Sequence, residues 1–323
     1  MRAKAIDPTN SRSPLRMTTR WESTQLPSPR MPKPFRRGCC FEYTAVHTAF
    51  VQEFSRFLRA MLARHLILLF MISACSRPQQ AIEIPFEPRF GEQPISCGAD
   101  ATGIAMTDLR FYVHDLRLVS TDGTDTPATL LEDPLWQSNA VALLDFENGA
   151  GACINGTQQT NSVIRAQVPE GAYSGIRFRI GVPEDLNHAD PLRAEAPLNY
   201  SVMHWHWRTG YKFLRAGVTN VTDGFWMHLG SSRCEGTSSN VSSCIAPNRP
   251  LVELTAFVPG EDAVEVDLQQ LVREIDLADG SPTDCSSGPA ESECEMPFQA
   301  LGLDFATGEA GGAASIFRKR SRE

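Results

Sequence analysis

A short segment with two histidines, two tryptophans and a methionine is the strongest candidate for chemistry in this sequence. It reads Met203-His204-Trp205-His206-Trp207. In an extended strand, successive side chains point to opposite faces, so the two histidines share one face and Met203, Trp205 and Trp207 the other. Two imidazoles about 7 Å apart along a strand can bind one metal ion, and imidazole suits copper. The segment therefore predicts a copper site.

Further ligands for such a site come from elsewhere in the chain. His228 and His114 are candidate imidazole ligands, and a thioether from Met203 or Met227 would favour cuprous copper. The competing interpretation is a sheet that carries two solvated histidines over an aromatic core layer. Spacing alone slightly favours that interpretation, and the nearby tryptophans make the two about equal.

Short stretches of alternating hydrophobicity predict the elements that position this segment. Gly175–Gly181 places Ile176, Phe178 and Ile180 on one face, and Asp108–Val119 alternates with a phase slip near His114 that predicts a β-bulge. Further strands are predicted at 141–146, 162–168, 251–257, 264–268 and 298–305, and helical turns at 193–196 and 268–275. Many short strands predict an all-β fold, an antiparallel β-sandwich or barrel with little helix.

Six cysteines after Cys75 indicate a disulfide framework, because an even number in an exported domain is typical of one. They are Cys97, Cys153, Cys234, Cys244, Cys285 and Cys294. Six cysteines allow 15 pairings. Polar Gly/Ser/Pro-rich loops favour Cys234–Cys244 and Cys285–Cys294, which leaves Cys97–Cys153. The spacings lack the CxxC of zinc ribbons and redox enzymes, and CxxCH haem attachment is also absent.

Residues 61–75 resemble a lipoprotein signal peptide. A basic start and the apolar run 66–72 precede Ser73-Ala74-Cys75, where the cysteine would receive the lipid. The alternative is an amphipathic or buried helix. We expect residues 1–60 to be a non-native or disordered extension, with translation starting at Met61. The other expected parts are a signal peptide at 61–74, a linker at 75–95, the β domain at 96–305 and a flexible tail at 306–323.

Charge and missing motifs exclude several functional classes. Residues 1–74 hold 12 of the chain's 30 Lys/Arg residues and 4 of its 38 Asp/Glu residues. The rest of the chain therefore holds 18 basic and 34 acidic residues, which gives it a formal charge of −16. This acidic body argues against nucleic-acid binding. The sequence has no GxSxG, HExxH, P-loop or GxGxxG motif. The segment Asn187–Asp190 could form a metal or acid–base cluster, but an Asx-type turn is favoured.

The Met/Trp segment and its surroundings resemble the MbnP family of copper-binding proteins. The similarity lies in Met203-x-Trp205-x-Trp207-x-x-Gly210-Tyr211-Lys-Phe213. It extends to the stretches 108–117, 181–190 and 228–234 and covers about 80–305. The resemblance implies a β-sandwich that binds copper and a partner di-haem protein of the cytochrome c peroxidase type (MbnH type). That partner would oxidise Trp205 or Trp207 to kynurenine, beside histidines that hold copper.

The predicted protein is therefore not an enzyme but a copper-binding lipoprotein for copper uptake or homeostasis. We expect it at the periplasmic face of the outer membrane or the cell surface of a Gram-negative bacterium. An alternative is an adhesion or carbohydrate-binding sandwich that stacks sugars on Trp205, Trp207, Trp226 and Tyr211. A copper oxidoreductase is a third possibility. A neighbouring gene for a protein with two CxxCH motifs would favour the first function.

Overall fold

Strands make up most of the computed structural model, which describes residues 77–100, 102–220, 223–237, 240–277, 283–288 and 291–322. All of these residues belong to one compact unit. The strands are β1 (Gln79–Phe90), β2 (Gln93–Pro94), β3 (Ala105–Ser120), β4 (Asp125–Pro127), β5 (Thr129–Leu130), β6 (Ala142–Asp145), β7 (Val163–Pro169), β8 (Tyr173–Ile180), β9 (His204–His206), β10 (Gly210–Thr219), β11 (Gly224–Gly230), β12 (Ser232–Thr237), β13 (Asn240–Ala246), β14 (Leu251–Thr255), β15 (Asp262–Asp267), β16 (Thr283–Cys285) and β17 (Phe317–Ser321).

Helical structure within the described ranges is limited to short pieces. The α-helices are Glu184–Asn187 and Glu295–Ala300, and the 3₁₀ helices are Ser201–Met203, Leu268–Leu271 and Ser292–Cys294. Among the described residues, no helix is long and apolar enough to cross a membrane. The signal peptide predicted at 61–74, the lipidation predicted at Cys75 and the extension predicted at 1–60 lie outside the described residues.

Two sheets and a hairpin form the predicted all-β sandwich. One sheet has the order β17-β15-β1-β7-β5, with β2 beside β1. The other has the order β14-β8-β3-β10-β11-β16, with β4 and β6 beside β3 and with β9 beside β10. Strands β12 and β13 form a separate antiparallel hairpin. Most pairs are antiparallel, as predicted, whereas β1–β15 and β11–β16 are parallel.

Aromatic side chains from both sheets meet in the core. Phe86 of β1 contacts Phe111 of β3 and Phe178 of β8 edge to face, each with ring centroids 5.7 Å apart. Phe317 of β17 contacts the same two rings at 5.9 Å. Edge-to-face contacts of this kind add about 0.5–1.5 kcal/mol each beyond the area they bury. This cluster fixes β3, and through β3 the neighbouring strand β10, which carries the candidate site.

The alternating segments correctly predict four of the nine strands of the second sheet, which are β3, β6, β8 and β14. Strand β8 buries Ile176, Phe178 and Ile180, as expected. Strand β3 contains the predicted bulge, since its register with β8 shifts after His114 and Asp115 has a φ of 48°. A left-handed backbone at a non-glycine residue is typical of such irregularities.

Three predictions about the remaining elements are wrong. Residues 79–90 form the central strand β1 rather than part of a linker, and residues 317–321 form β17 rather than a flexible tail. The strand expected at 298–305 is replaced by the helix Glu295–Ala300 and turns. A proline in the first turn fits a helix, because the first amide groups of a helix have no intrahelical acceptor.

The three disulfides have the predicted pairing. Cys97 is bonded to Cys153, Cys234 to Cys244, and Cys285 to Cys294. The first closes a separation of 56 residues, and the others close 10 and 9. In the loop-entropy description, all three restrict the unfolded chain, the long loop most strongly.

A cluster of charged side chains is buried under the second sheet. Arg110 contacts Asp145 at 2.9 Å and Glu147 at 2.8 Å, and all three side chains are fully buried. Arg215, opposite Arg110 on β10, pairs with Asp108. Burial, followed by a hydrogen bond with Asp108, raises the pKa of Glu147 to about 9. Two arginines therefore lie among three carboxyl groups in this cluster.

Candidate metal site

The hairpin of β9 and β10 presents the histidine and tryptophan side chains. His204 of β9 pairs with Tyr211 of β10, and His206 pairs with Gly210. Since β9 ends at His206, the alternation of faces covers only three residues, and Trp207 lies in the turn that follows. The prediction that Trp207 shares a strand face with Trp205 is therefore wrong.

Asn187 holds this hairpin in place from the end of the helix Glu184–Asn187. Its side chain is fully buried. Its Oδ1 accepts a hydrogen bond of 3.0 Å from the backbone N–H of Tyr211, and its Nδ2 donates one of 3.3 Å to Oγ of Ser231. The same residue thus links the start of β10 to the loop before β12. Sequence reasoning placed Asn187 only in a turn and missed this role.

Gly210 allows the close approach of the hairpin to Asn187. Its φ is +76°, and a Cβ atom there would overlap both the backbone oxygen and the side chain of Asn187. We expect Gly210→Ala to lower the free energy of unfolding by about 2–4 kcal/mol, because left-handed strain of about 1–3 kcal/mol adds to the overlap. Gly123→Ala is the matched control, since Gly123 has a φ of +84° and open space around it. Urea unfolding measures both, and equal losses would contradict the overlap.

His204 offers an imidazole nitrogen that could bind a metal. Its ring lies edge-on to Tyr211, with centroids 5.1 Å apart. Its Nε2 is buried and has no hydrogen-bond partner within the described part of the chain. Burial lowers the pKa of His204, while Asp190 acts in the opposite direction and His206 and His188 lower it further. A neutral imidazole with a free nitrogen is the form that coordinates metals.

His206 is exposed and adjoins the aromatic turn. Its ring lies 5.2 Å from that of Trp207, and the Arg208 guanidinium lies 5.0 Å from the centroid of the same indole. With His204 two residues earlier on one strand, the predicted pair of histidines exists in the structure. The ring of His204 is also in the electrostatic surroundings of Asp190 and His188.

Trp205 points to different neighbours. Its indole contacts the ring of His228 edge-on at 5.9 Å and packs against Gly230, where a Cβ atom would be 3.1 Å from the ring. The ammonium group of Lys212 lies 5.8 Å from the indole centroid. Trp205 is therefore enclosed between β9, β10 and β11, next to an imidazole.

His228 is neutral in the folded protein but lies among cations. Burial, and then the positive charges of Arg215 and Lys212, lower its pKa to about 4. A metal cation at His228 alone would meet the same two positive charges, which disfavours it. His228 is thus better placed to contact the Trp205 side chain than to start a metal site.

His114 and Met203 have surroundings that differ from those of His204 and His206. His114 lies opposite Arg179 on β8 and feels the charges of Arg249 and Arg179. Met203 ends a 3₁₀ helix and is fully buried in the hydrophobic core, and Met227 is buried there too. The prediction that Met203 projects from the strand with the tryptophans is wrong, because the 3₁₀ turn places its side chain in the core.

The surroundings of His114 predict that the folded protein loses stability in acid. Burial, with Arg249 and Arg179, lowers its pKa from 6.5 to about 4, and Asp185 opposes this. The unfolded chain therefore takes up a proton below pH 6.5 that the folded protein takes up only near pH 4. The stability present above pH 6.5 is lost as the pH falls, by on the order of 3 kcal/mol near pH 4.

The measurement is urea unfolding at pH 7 and pH 4.5 for the wild type and for His114→Gln. We expect a smaller loss of stability on acidification in the variant, since glutamine does not titrate. An equal loss in the two proteins would show that His114 does not bind its proton in this way.

Tyr211 and Lys212 have structural roles. The Tyr211 hydroxyl is buried and donates a hydrogen bond of 2.7 Å to the carbonyl of Leu198, and burial raises its pKa to about 12. Lys212 donates one of 3.0 Å to the carbonyl of Val202. A fully buried Tyr211 cannot stack on a sugar, which removes one of the four aromatic residues expected in a carbohydrate site.

His188 is a residue that sequence reasoning underestimated. The predicted Asx turn exists nearby, since the Leu192 N–H donates a hydrogen bond to Oδ1 of Asp190. His188 itself turns towards the hairpin, and its Nδ1 lies 3.0 Å from the carbonyl oxygen of Trp207. The sequence around His188 indicates only a turn, and it gives no sign of the contact with the turn at Trp207, 19 residues away.

Comparisons with known proteins agree with this architecture. The family model described as MbnP matches residues 79–287. A solved structure, MbnP from Methylosinus trichosporium, is similar with a TM-score of 0.66 and 26% sequence identity, over 76% of this chain and 100% of the other. A search of curated proteins gave no match.

Proposed function

The chain belongs to the MbnP family, and on this premise we propose that it is an exported copper-binding lipoprotein that serves copper uptake or homeostasis. The main support is the pair of histidines on β9. His204 has a buried, unpartnered Nε2, and His206 lies two residues away with its ring exposed. His204 and His206 would hold the ion through neutral imidazoles, which suit copper.

The arrangement of charges supports the same two residues. After burial, the largest charge effect on His204 comes from the carboxylate of Asp190, whereas on His114 and His228 it comes from arginines. A cation is stabilised by a nearby negative charge and destabilised by positive ones. Of the imidazole ligands predicted from the sequence, His204 and His206 therefore fit a copper ion best.

The proposed modification is oxidation of Trp205 or Trp207 to kynurenine by a di-haem protein of the cytochrome c peroxidase type. Tryptophan and three water molecules give kynurenine, formic acid, four protons and four electrons, as the bonds from C2 to C3 and to nitrogen break. The electrons pass in two two-electron steps to the high-valent di-haem protein, which hydrogen peroxide re-oxidises each time. The products are a ketone and an aryl amine. At Trp207 either new group would lie next to the His206 ring, 5.2 Å from the present indole, whereas at Trp205 it would lie next to His228.

Co-expression tests this function. The exported chain is produced in a heterologous host with and without the di-haem protein, and copper per chain is measured after dialysis. We expect stable copper binding with the partner and a large loss without it. Trp205→Phe and Trp207→Phe, each with the partner, then identify the tryptophan that matters. The proposal fails if wild-type protein made with the partner retains no copper.

A further inference from the structure

A second group of metal-ligating atoms lies beside the hairpin, outside the histidines of β9. The Nε2 atom of His188 is 3.4 Å from Sγ of Cys244. The ligand atoms of His188, Cys234 and Cys244 all lie within 4.8 Å of one another. The two sulfurs are bonded to each other, so in the oxidised protein they cannot act as thiolate ligands.

The hydrogen bonds of His188 fix which ring nitrogen carries the proton and which has the lone pair. Its Nδ1 is 3.0 Å from the carbonyl oxygen of Trp207, and because a carbonyl only accepts, Nδ1 carries the proton of the neutral ring. Nε2 then has the lone pair, and it accepts from Nδ2 of Asn187 at 3.2 Å. One N–H on a backbone carbonyl and a lone pair on the other nitrogen is the usual arrangement of a metal-binding histidine.

The disulfide beside His188 is also the most accessible of the three. Cys244 is half-buried, and Cys234 is 9% exposed, whereas the other four cysteines are between 0% and 3% exposed. Cys234 and Cys244 lie directly opposite each other on β12 and β13. Thiol–disulfide exchange requires an attacking thiolate to reach a sulfur atom, so this bond should be reduced first.

We propose that reduction of the Cys234–Cys244 disulfide creates a second metal site, formed by His188 and both cysteines, for a thiophilic cation such as Cu⁺ or Zn²⁺. A dithiol reductant donates two electrons and two protons, becomes a disulfide itself and leaves two thiols. Metal binding then releases both thiol protons. Two thiolates and one imidazole form a ligand set typical of these ions, and an external ligand completes the coordination.

The site is redox-gated, because oxidation joins two of its three ligands. Through the Trp207 carbonyl it also contacts the turn that follows β9. Reduction at the β12–β13 hairpin would therefore change both a metal site and the support of the turn next to His206. The inference does not depend on copper binding at His204 and His206.

Cobalt is the probe for this site, since Co²⁺ bound to thiolates shows charge-transfer absorption that imidazole ligands do not give. The full exported chain is treated with a phosphine reductant, freed of it, and titrated with Co²⁺. We expect thiolate-to-cobalt absorption at one equivalent in the reduced protein and none in the oxidised one. The proposal is overturned if the reduced wild type gives no such absorption.

Matched variants assign the ligands. Cys234→Ser with Cys244→Ser should abolish the absorption, and Cys285→Ser with Cys294→Ser should retain it, although Glu291 also lies near that second pair. His188→Gln keeps all cysteines and should weaken Co²⁺ binding at least about 10-fold. Absorption that persists in the first double variant, or unchanged affinity in His188→Gln, would overturn the assignment.

A third double variant separates this inference from the proposed function. His204→Ala with His206→Ala should leave the thiolate–cobalt absorption of the reduced protein unchanged. Loss of the absorption in that variant would mean that the two groups of residues form one site, and would contradict the inference.

Discussion

Replacing Arg110 with methionine should lower the free energy of unfolding by about 3–5 kcal/mol. The substitution leaves Asp145 buried without its partner, because the ion pair at 2.9 Å has both side chains fully buried. It also removes the pair with Glu147 and the contact of the guanidinium with the Tyr200 ring at 5.6 Å. Since Arg110 lies opposite Arg215 on β10, the loss affects the sheet that carries the candidate metal site. Chemical unfolding of the purified domain provides the measurement.

Two further variants identify the buried charge as the cause. Arg165→Met removes an ion pair with Glu83 whose side chains are about half exposed, and should cost less than about 1 kcal/mol. Arg110→Met combined with Asp145→Leu should be more stable than Arg110→Met alone, because Asp145 is then no longer a buried carboxylate without its partner. Equal losses for Arg110→Met and Arg165→Met would contradict this account.

Removing both histidines of β9 should reduce copper affinity by several orders of magnitude. His204→Ala with His206→Ala deletes the two imidazoles that the account assigns to the ion, and a site with fewer ligands loses most of its binding free energy. His206 is exposed and His204 is half-buried, so we expect the fold to survive. Competitive titration with a copper chelator, on protein co-expressed with the di-haem partner, measures the affinity.

His114→Ala is the matched control for the double variant. It deletes an imidazole that was also a candidate ligand in the sequence, but that lies beside Arg179 and Arg249. We expect its copper affinity to equal that of the wild type. Full affinity in the double variant, or a large loss in His114→Ala, would show that the copper ligands are assigned to the wrong histidines.

The fold class could be predicted because local patterns encode it. Strands such as β8 alternate apolar and polar residues, and the slip at His114 marks a real bulge. Strand β15 shows the limit of this reasoning. Its sequence alternates, yet Glu265 and Asp267 are buried, because Arg318 of β17 pairs with both. A local sequence pattern cannot indicate an ion-pair partner that lies 51 residues or more away in the chain.

The candidate site was predicted in part. The histidine pair on β9 follows from spacing, and the structure confirms that both residues lie on one strand. The surroundings of Met203 and His114 could not be predicted from the sequence, since a 3₁₀ turn buries the first and arginines from different elements act on the second. His188 contacts the Trp207 carbonyl directly, beside the buried contacts of Asn187 that join the helix to the hairpin, and both depend on the tertiary fold.

The most direct test of the central claim is the mass of the peptide that contains Trp205 and Trp207, taken from protein purified from its native host together with its copper content. The account predicts that one of the two tryptophans has lost a carbon and gained an oxygen, as in kynurenine, and that the same preparation contains copper. Two unmodified tryptophans in a preparation without copper would contradict it.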